Sequence, residues 1–228
     1  MKSSKRTART AGLLYLIVAI TGFFVPFVNK KLLIFGDASA TSSNILANEV
    51  LFRSGFFGNI LMATSWIFTA YVLYTLLKGV ENNIALLMFS LVCVGGSLIF
   101  IGALCNYTAL MVLRSNEYSA AFGAIQTKSV AMLLIDLSHQ ISMFNRLFYG
   151  LWLVPLGYLI FKSNFIPRII GILLGVSVIG YLIDFVITFT LPNLEFGAGS
   201  YTFWGEVILL LWLLVKGVSE QKRTRIAA

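Results

Sequence analysis

A succession of apolar runs, each stopped by a lysine, an arginine, a proline or a polar turn, constrains this chain more than anything else in it. The runs cover residues 11–28, 54–77, 84–113, 130–161, 169–191 and 201–215. Crossing the hydrocarbon of a bilayer takes about 20 predominantly apolar residues in a helix. The pattern therefore predicts an all-α polytopic membrane helix bundle with about six transmembrane helices, a single transmembrane domain over 1–228. Composition removes the other classes. Hydrophobic residues make up 58% of the chain and charged ones 11%, against roughly 25% charged in soluble domains. A soluble globule, a disordered tail and a coiled coil are excluded.

The first run follows Lys2, Lys5, Arg6 and Arg9, the basic start of a signal peptide, and Ala38-Ser39-Ala40 resembles a cleavage site. Lys30 and Lys31 intervene, however, and the run exceeds the usual ~7–15 residue apolar core, so it reads as a retained span. Residues 35–53 carry Asp37, Thr41, Ser42 and Ser43 as N-cap candidates ahead of Ile45, Leu46, Val50 and Leu51. That arrangement predicts a short interfacial helix. Residues 114–128 read as a polar loop with a helical turn near 118–124, and 193–200 as a glycine-rich loop before the sixth run.

The net charge of +8 reports orientation. Eleven of the seventeen lysines and arginines lie in one set of loops and five in the other, with Arg146 inside a span. The positive-inside bias places both termini in the cytoplasm. Because the basic residues flank spans and build no separate domain, nucleic acid is not expected as a partner. Membrane lipids are, and the basic ends suit anionic ones. Cys93 and Cys105 are twelve residues apart, about 18 Å along a helix, too far for a disulfide.

Depth arithmetic singles out the polar residues. With the end of the fourth run fixed near residue 161, its outer boundary falls near Ser142. Asp136 and His139 then lie at the outer interface, with Arg146 just beneath. Counting along the other runs places Asn106, Asp184, Glu206 and Arg53 at a similar level. Facing agrees: Asp136, His139, Met143, Arg146 and Gly150 share one stripe of a helix. Gly95, Gly102 and Asn106 share another, and Gly55, Gly58, Met62, Ser65 and Thr69 a third. Gly171 and Gly175 form a GxxxG, the spacing that lets membrane helices pack closely, with Asp184 on the opposite face. Arg146 is the natural ion-pair partner for Asp184, and Pro155 is expected to kink the fourth helix. Asp136 and His139 are adjacent on their helix, but a metal site normally takes several His or Cys ligands and this chain has one His; no metal is expected. GxxxxGK[ST], HExxH, GxSxG and GxGxxG are all missing, so neither a nucleotide nor any other cofactor is implied.

The segments KRTARTAGLLYLI, GDASATSSNILANEVLFRSGF and GYLIFKSNFIPRIIGILL, with the later GYLID, resemble the bacterial membrane-protein family called domain of unknown function 4386. The resemblance runs from Lys5 to about Lys216 and includes Arg9, Asp37, Arg53, Gly157, Tyr158, Pro167, Gly171, Tyr181 and Asp184. It implies a multi-pass protein of the bacterial cytoplasmic (inner) membrane and supplies no activity. The family pattern often has a second histidine where this chain has Trp152, so a shared His-based site is not implied.

Three functions are compatible with the sequence. The first is binding or sensing of a small polar or amphiphilic ligand in an outer-leaflet polar pocket formed by Asp136, His139, Arg146, Asp184, Glu206, Asn106 and Arg53. The second is an intramembrane hydrolase acting on a lipid-like substrate, with Asp136, His139 and Asp184 as acid, base or metal ligand. The third is a small secondary transporter. Homo-oligomerisation and the choice between ligand site and structural polar cluster are left open.

Overall fold

The computed structural model describes residues 3–191, 194 and 197–218. Lys2, Pro192, Asn193, Lys222, Arg223 and Arg225, which the sequence reading uses, lie outside them. All regular elements among the described residues are helices. Five stretches are long and apolar enough to cross a membrane: Lys5–Leu32, Glu49–Leu77, Asn82–Arg114, Ala124–Ser163 and Arg168–Thr190. A further apolar stretch, Gly199–Val215, is shorter. At ~1.5 Å per residue it reaches about 25 Å, less than the ~30 Å hydrocarbon thickness.

Local chemistry sets the boundaries. Helix α1 (Ser3–Leu32) continues through Lys30 and Lys31, whose charges suit a helix C-terminus. Helix α2 (Ala38–Ala47) starts at the expected cap, where the Asp37 carboxylate accepts the Ala40 N–H at 2.8 Å. It stops at Asn48, and α3 (Glu49–Leu77) follows directly. Residues 49–53 therefore belong to the long helix, five residues ahead of the expected start. Glu49 favours the helix N-terminus there and pairs with Arg53 one turn on. After α4 (Asn82–Arg114), Ser115 caps α5 (Asn116–Phe122) by accepting the Tyr118 N–H at 3.2 Å. Gly123, at φ +82°, ends α5 and lets α6 (Ala124–Leu151) begin at once, six residues before the expected start. That positive φ is open to glycine at little cost.

The helix is interrupted at Trp152, between α6 and α7 (Leu153–Ser163), three residues before Pro155. Pro155 has no N–H to offer the Leu151 carbonyl, and the flanking Trp152 and Leu156 N–H bonds are both stretched to 3.3 Å. Helix α8 (Arg168–Thr190) follows Pro167, and α9 (Gly199–Thr202) precedes α10 (Trp204–Val215).

The chain forms two compact units, one of Met1–Ile17, Thr64–Gly96 and Met143–Ala228, the other of Val18–Ala63 and Ser97–Ser142. In the first, glycines bring backbones together. A Cβ at Gly171 would stand 2.7 Å from the Gly157 carbonyl of α7, and one at Gly205 would stand 2.6 Å from Leu173 of α8. A Cβ at Gly12 of α1 would meet the Leu214 nitrogen of α10 at 2.9 Å. Gly175 has nothing within 4 Å, so the GxxxG packs through its first glycine. In the second unit, Val28, Ile45, Phe52, Leu110 and Ile135 belong to one buried cluster. Gly55 and Gly58 of α3 face Val28 and Val25 of α1, and Gly102 of α4 faces Ser138 of α6. Small residues at these crossings supply the close packing that membrane helices need, because lipid offers no hydrophobic drive between them. Helix α2 buries only part of its apolar face: Ile45 is 0% exposed, while Leu46 is 46% exposed.

Candidate functional site

The first unit places three of the expected site residues, Arg146, Asp184 and Glu206. Glu206, in the first turn of α10, receives two phenol hydroxyls. Tyr15 of α1 donates to Oε2, and Tyr181 of α8 donates to Oε1 at 2.7 Å. Both carboxylate oxygens are thus occupied by hydroxyls, and no cation is within ion-pair distance among the described residues. Asp184, one turn after Tyr181, is 6% exposed. Its Oδ2 accepts the Gly199 N–H at 3.0 Å, which satisfies a backbone donor at the start of α9. A Cβ at Gly199 would lie 2.7 Å from that oxygen, so only glycine lets the backbone come so near. The other oxygen, Oδ1, has no hydrogen-bond partner among the described residues.

Arg146 does not pair with Asp184. Its Nη1 donates to Thr188 Oγ1 at 3.0 Å, and Thr188 donates in turn to the Asp184 backbone carbonyl at 2.7 Å. Among the described residues the ion pairs are Arg53–Glu49, Arg114–Glu49 and Lys162–Glu81. The expected Arg146–Asp184 bridge is replaced by this relay because Thr188, four residues after Asp184, intercepts the guanidinium.

Sequence reasoning missed two features of this unit. One is Asn145, which is 1% exposed and lacks a hydrogen-bond partner for either side-chain atom. The Tyr149 hydroxyl, one turn on, is near enough to interact with it but not in hydrogen-bond geometry. Asn145 follows the buried positions Ala131, Ile135 and Ser138 at helical spacing, a signal the sequence did contain. The other feature is a closed circuit of five rings. Tyr15 meets Trp152 at 5.9 Å, Trp152 meets Trp66 at 5.9 Å, Trp66 meets Tyr149 at 5.1 Å, and Tyr149 meets Tyr181 at 6.2 Å. The two ends, Tyr15 and Tyr181, close on Glu206. Trp152 is 1% exposed and a member of this circuit.

The second unit places Arg53, Asn106, Asp136 and His139. Arg53 Nε binds Glu49 Oε1 at 2.7 Å, and Arg114 Nη1 binds the same oxygen at 2.9 Å. Arg53 also lies over the Tyr107 ring, 5.8 Å from its centre. The guanidinium assigned to a ligand from sequence is therefore engaged by the chain itself. His139 stacks at a tilt on Phe35, with ring centres 4.6 Å apart. Asn106 is 8% exposed and its Oδ1 has no partner, while Asp136 is half-buried. Among the described residues no three His, Cys, Asp or Glu side chains gather as a possible metal site.

Long apolar helices joined by short polar connections, with small residues at their crossings, define a multi-pass membrane protein. The chain matches the family described as "Domain of unknown function (DUF4386)" over residues 10–217, and it belongs to that family. It is also similar to a protein of Archaeoglobus fulgidus described as an uncharacterized protein. The two are 32% identical over 148 residues, 65% of this chain and 74% of the other. That relative is archaeal, so the bacterial assignment gains nothing from it. No solved structure matches.

Proposed function

We propose that this protein binds a small polar or amphiphilic ligand at the cluster around Glu206, with Asp184 and Asn145 supplying further polar contacts. The observation that carries the reading is the unmet hydrogen-bonding capacity of Asn145 and Asp184, in the same unit as Glu206. Asn145 leaves its amide oxygen without a partner and Asp184 leaves one carboxylate oxygen. Buried polar groups are almost always partnered by protein, water or ligand, and inside a membrane an unmatched carboxylate is costly, about 2.5–3.5 kcal/mol on insertion scales. A polar ligand group arriving at this cluster recovers those contacts.

The reading takes Gly199–Val215 as a sixth crossing and both termini as cytoplasmic, in an inner membrane. Glu206 is ten residues before Lys216, about 15 Å along a helix. Arg9, at the N-terminal end of α1, reaches the Val215 carbonyl at 3.5 Å, consistent with a shared cytoplasmic level. Glu206 then lies near the bilayer midplane, deeper than depth arithmetic from the outer loop suggests, with Asp184 towards the outer side. The second unit's polar residues are not needed for this site: Arg53 is paired and His139 is stacked.

Native mass spectrometry of the detergent-purified protein tests the proposal. A retained small molecule or lipid is expected in the wild type, with occupancy reduced in Glu206→Gln and Asn145→Ala and unchanged in Lys78→Ala. Equal occupancy in all four proteins rejects the site.

A further inference from the structure

We infer that the group recognised at this site is an ammonium: a positively charged amine, carried either by a free small molecule or by an amphiphile. The inference rests on the binding reading above and adds the charge and shape of what is bound.

The aromatic circuit carries the shape. Tyr15, Trp152, Trp66, Tyr149 and Tyr181 touch in sequence and are joined at their ends by one carboxylate. Rings grouped around an acid attract a cation that reaches their faces, since ring faces carry negative charge density and quaternary ammonium groups are held by aromatic cages. Three of the five rings are 1–4% exposed, so the attraction acts away from water.

Charge supplies the second argument. Two carboxylates, Glu206 and Asp184, are set against one guanidinium, Arg146, which is held by the neutral Thr188 hydroxyl. Neither acid has an ion-pair partner among the described residues, although other acids of the chain, Glu49 and Glu81, do. Counted as ionised, the two acids outnumber that one guanidinium. Asn145, buried with an open carbonyl oxygen, adds a neutral acceptor that suits an N–H or a polarised methyl group and repels neither. An anionic head group meets two carboxylates and one engaged arginine, and a sugar gains nothing from the excess of acids.

Four probes at equal concentration separate the possibilities by thermal shift and ligand-observed NMR on the full chain in nanodiscs: hexyltrimethylammonium, tetramethylammonium, hexyl glucoside and hexyl sulfate. The wild type is expected to bind hexyltrimethylammonium at least tenfold more tightly than hexyl glucoside. Glu206→Gln, which keeps one acceptor oxygen and removes the charge, is expected to lose that tenfold preference. Matching affinity for the two cations identifies a free amine; a tenfold advantage for the hexyl chain identifies an amphiphile. Preference for the glucoside or the sulfate overturns the ammonium assignment and leaves the binding reading standing. Absence of binding by any probe, together with no retained molecule in native mass spectrometry, removes both. Selectivity of the wild type decides the matter if Glu206→Gln fails to fold.

Discussion

Tyr15 donates its hydroxyl to Glu206 across 191 residues of sequence, tying the N-terminal helix α1 to α10. The same carboxylate also takes the Tyr181 hydroxyl from α8. One acid thus fixes three helices of a unit whose other contacts are mostly apolar. Truncation by Glu206→Ala leaves two hydroxyls without their acceptor, and an orphaned buried donor costs about 1–3 kcal/mol. Glu206→Gln preserves one acceptor oxygen of the two. Thermal melting in detergent is expected to rank wild type above Glu206→Gln and both well above Glu206→Ala. Equal melting of the Gln and Ala variants rejects the tie.

The two glycines of the GxxxG are expected to respond in opposite directions. Gly171 of α8 lies against α7, where an added Cβ would be 2.7 Å from the Gly157 carbonyl and 3.2 Å from the Phe161 nitrogen. Backbone atoms cannot yield as a flexible side chain does, so Gly171→Ala should push α7 and α8 apart and destabilise by about 1–3 kcal/mol. Gly175 has open space around its Cβ position, so Gly175→Ala should be neutral or stabilise by up to about 1 kcal/mol through helix propensity. Reversible unfolding in mixed micelles measures both. Equal losses at the two positions contradict the packing described.

These cases mark what the sequence made legible. The apolar runs, the Asp37 cap and the Pro155 interruption each follow from a local rule: span length, capping chemistry, a missing N–H. So does the set of Asp184, Arg146 and Glu206 as polar residues inside apolar helices. Their partners did not follow. Thr188 takes the arginine that opposite charge assigns to Asp184, and Glu49 takes Arg53, because pairing depends on which rotamers reach across helices. The early start of α3 was hidden for a related reason. Glu49 and Arg53 look like loop charges until their four-residue spacing is read as a helical ion pair. The aromatic circuit was the least legible, since Tyr15, Trp66 and Tyr181 look like ordinary apolar members of three separate spans.

Glu81 gives a pH-dependent prediction outside the spans. Its carboxylate accepts the Lys162 ammonium at 2.8 Å and the Tyr158 hydroxyl at 3.0 Å. The hydrogen bond from Lys162, with that from Tyr158, lowers its pKa from the ordinary value of 4.5. Because the folded pKa lies below the unfolded one, the contribution is fully present above pH 4.5 and lost as pH falls through the folded value. Solvent screening keeps the effect small at this exposed pair. Wild type should melt slightly above Glu81→Gln at pH 6, and the gap should shrink as the pH drops below 4.5. A gap that persists or widens on acidification contradicts the assignment.

Arg146 and Thr188 should behave as a coupled pair. Thr188 Oγ1 accepts from Arg146 and donates to the Asp184 carbonyl, so it stands between the guanidinium and the turn that carries Asp184. Arg146→Ala removes the donor and Thr188→Val removes the relay while keeping the shape. If the bond holds this part of α6 to α8, the double variant should lose less stability than the sum of the singles. A charge-assisted hydrogen bond of this kind contributes about 1.5–3 kcal/mol, so a coupling near 1 kcal/mol is expected. Lys78→Ala serves as the reference: its ammonium lies 5.8 Å from the Tyr74 ring centre at a helix end and its loss should change melting less than that of Arg146. Strict additivity of Arg146→Ala and Thr188→Val, with Lys78→Ala equally damaging, shows that the guanidinium does not bind α8 in the folded protein.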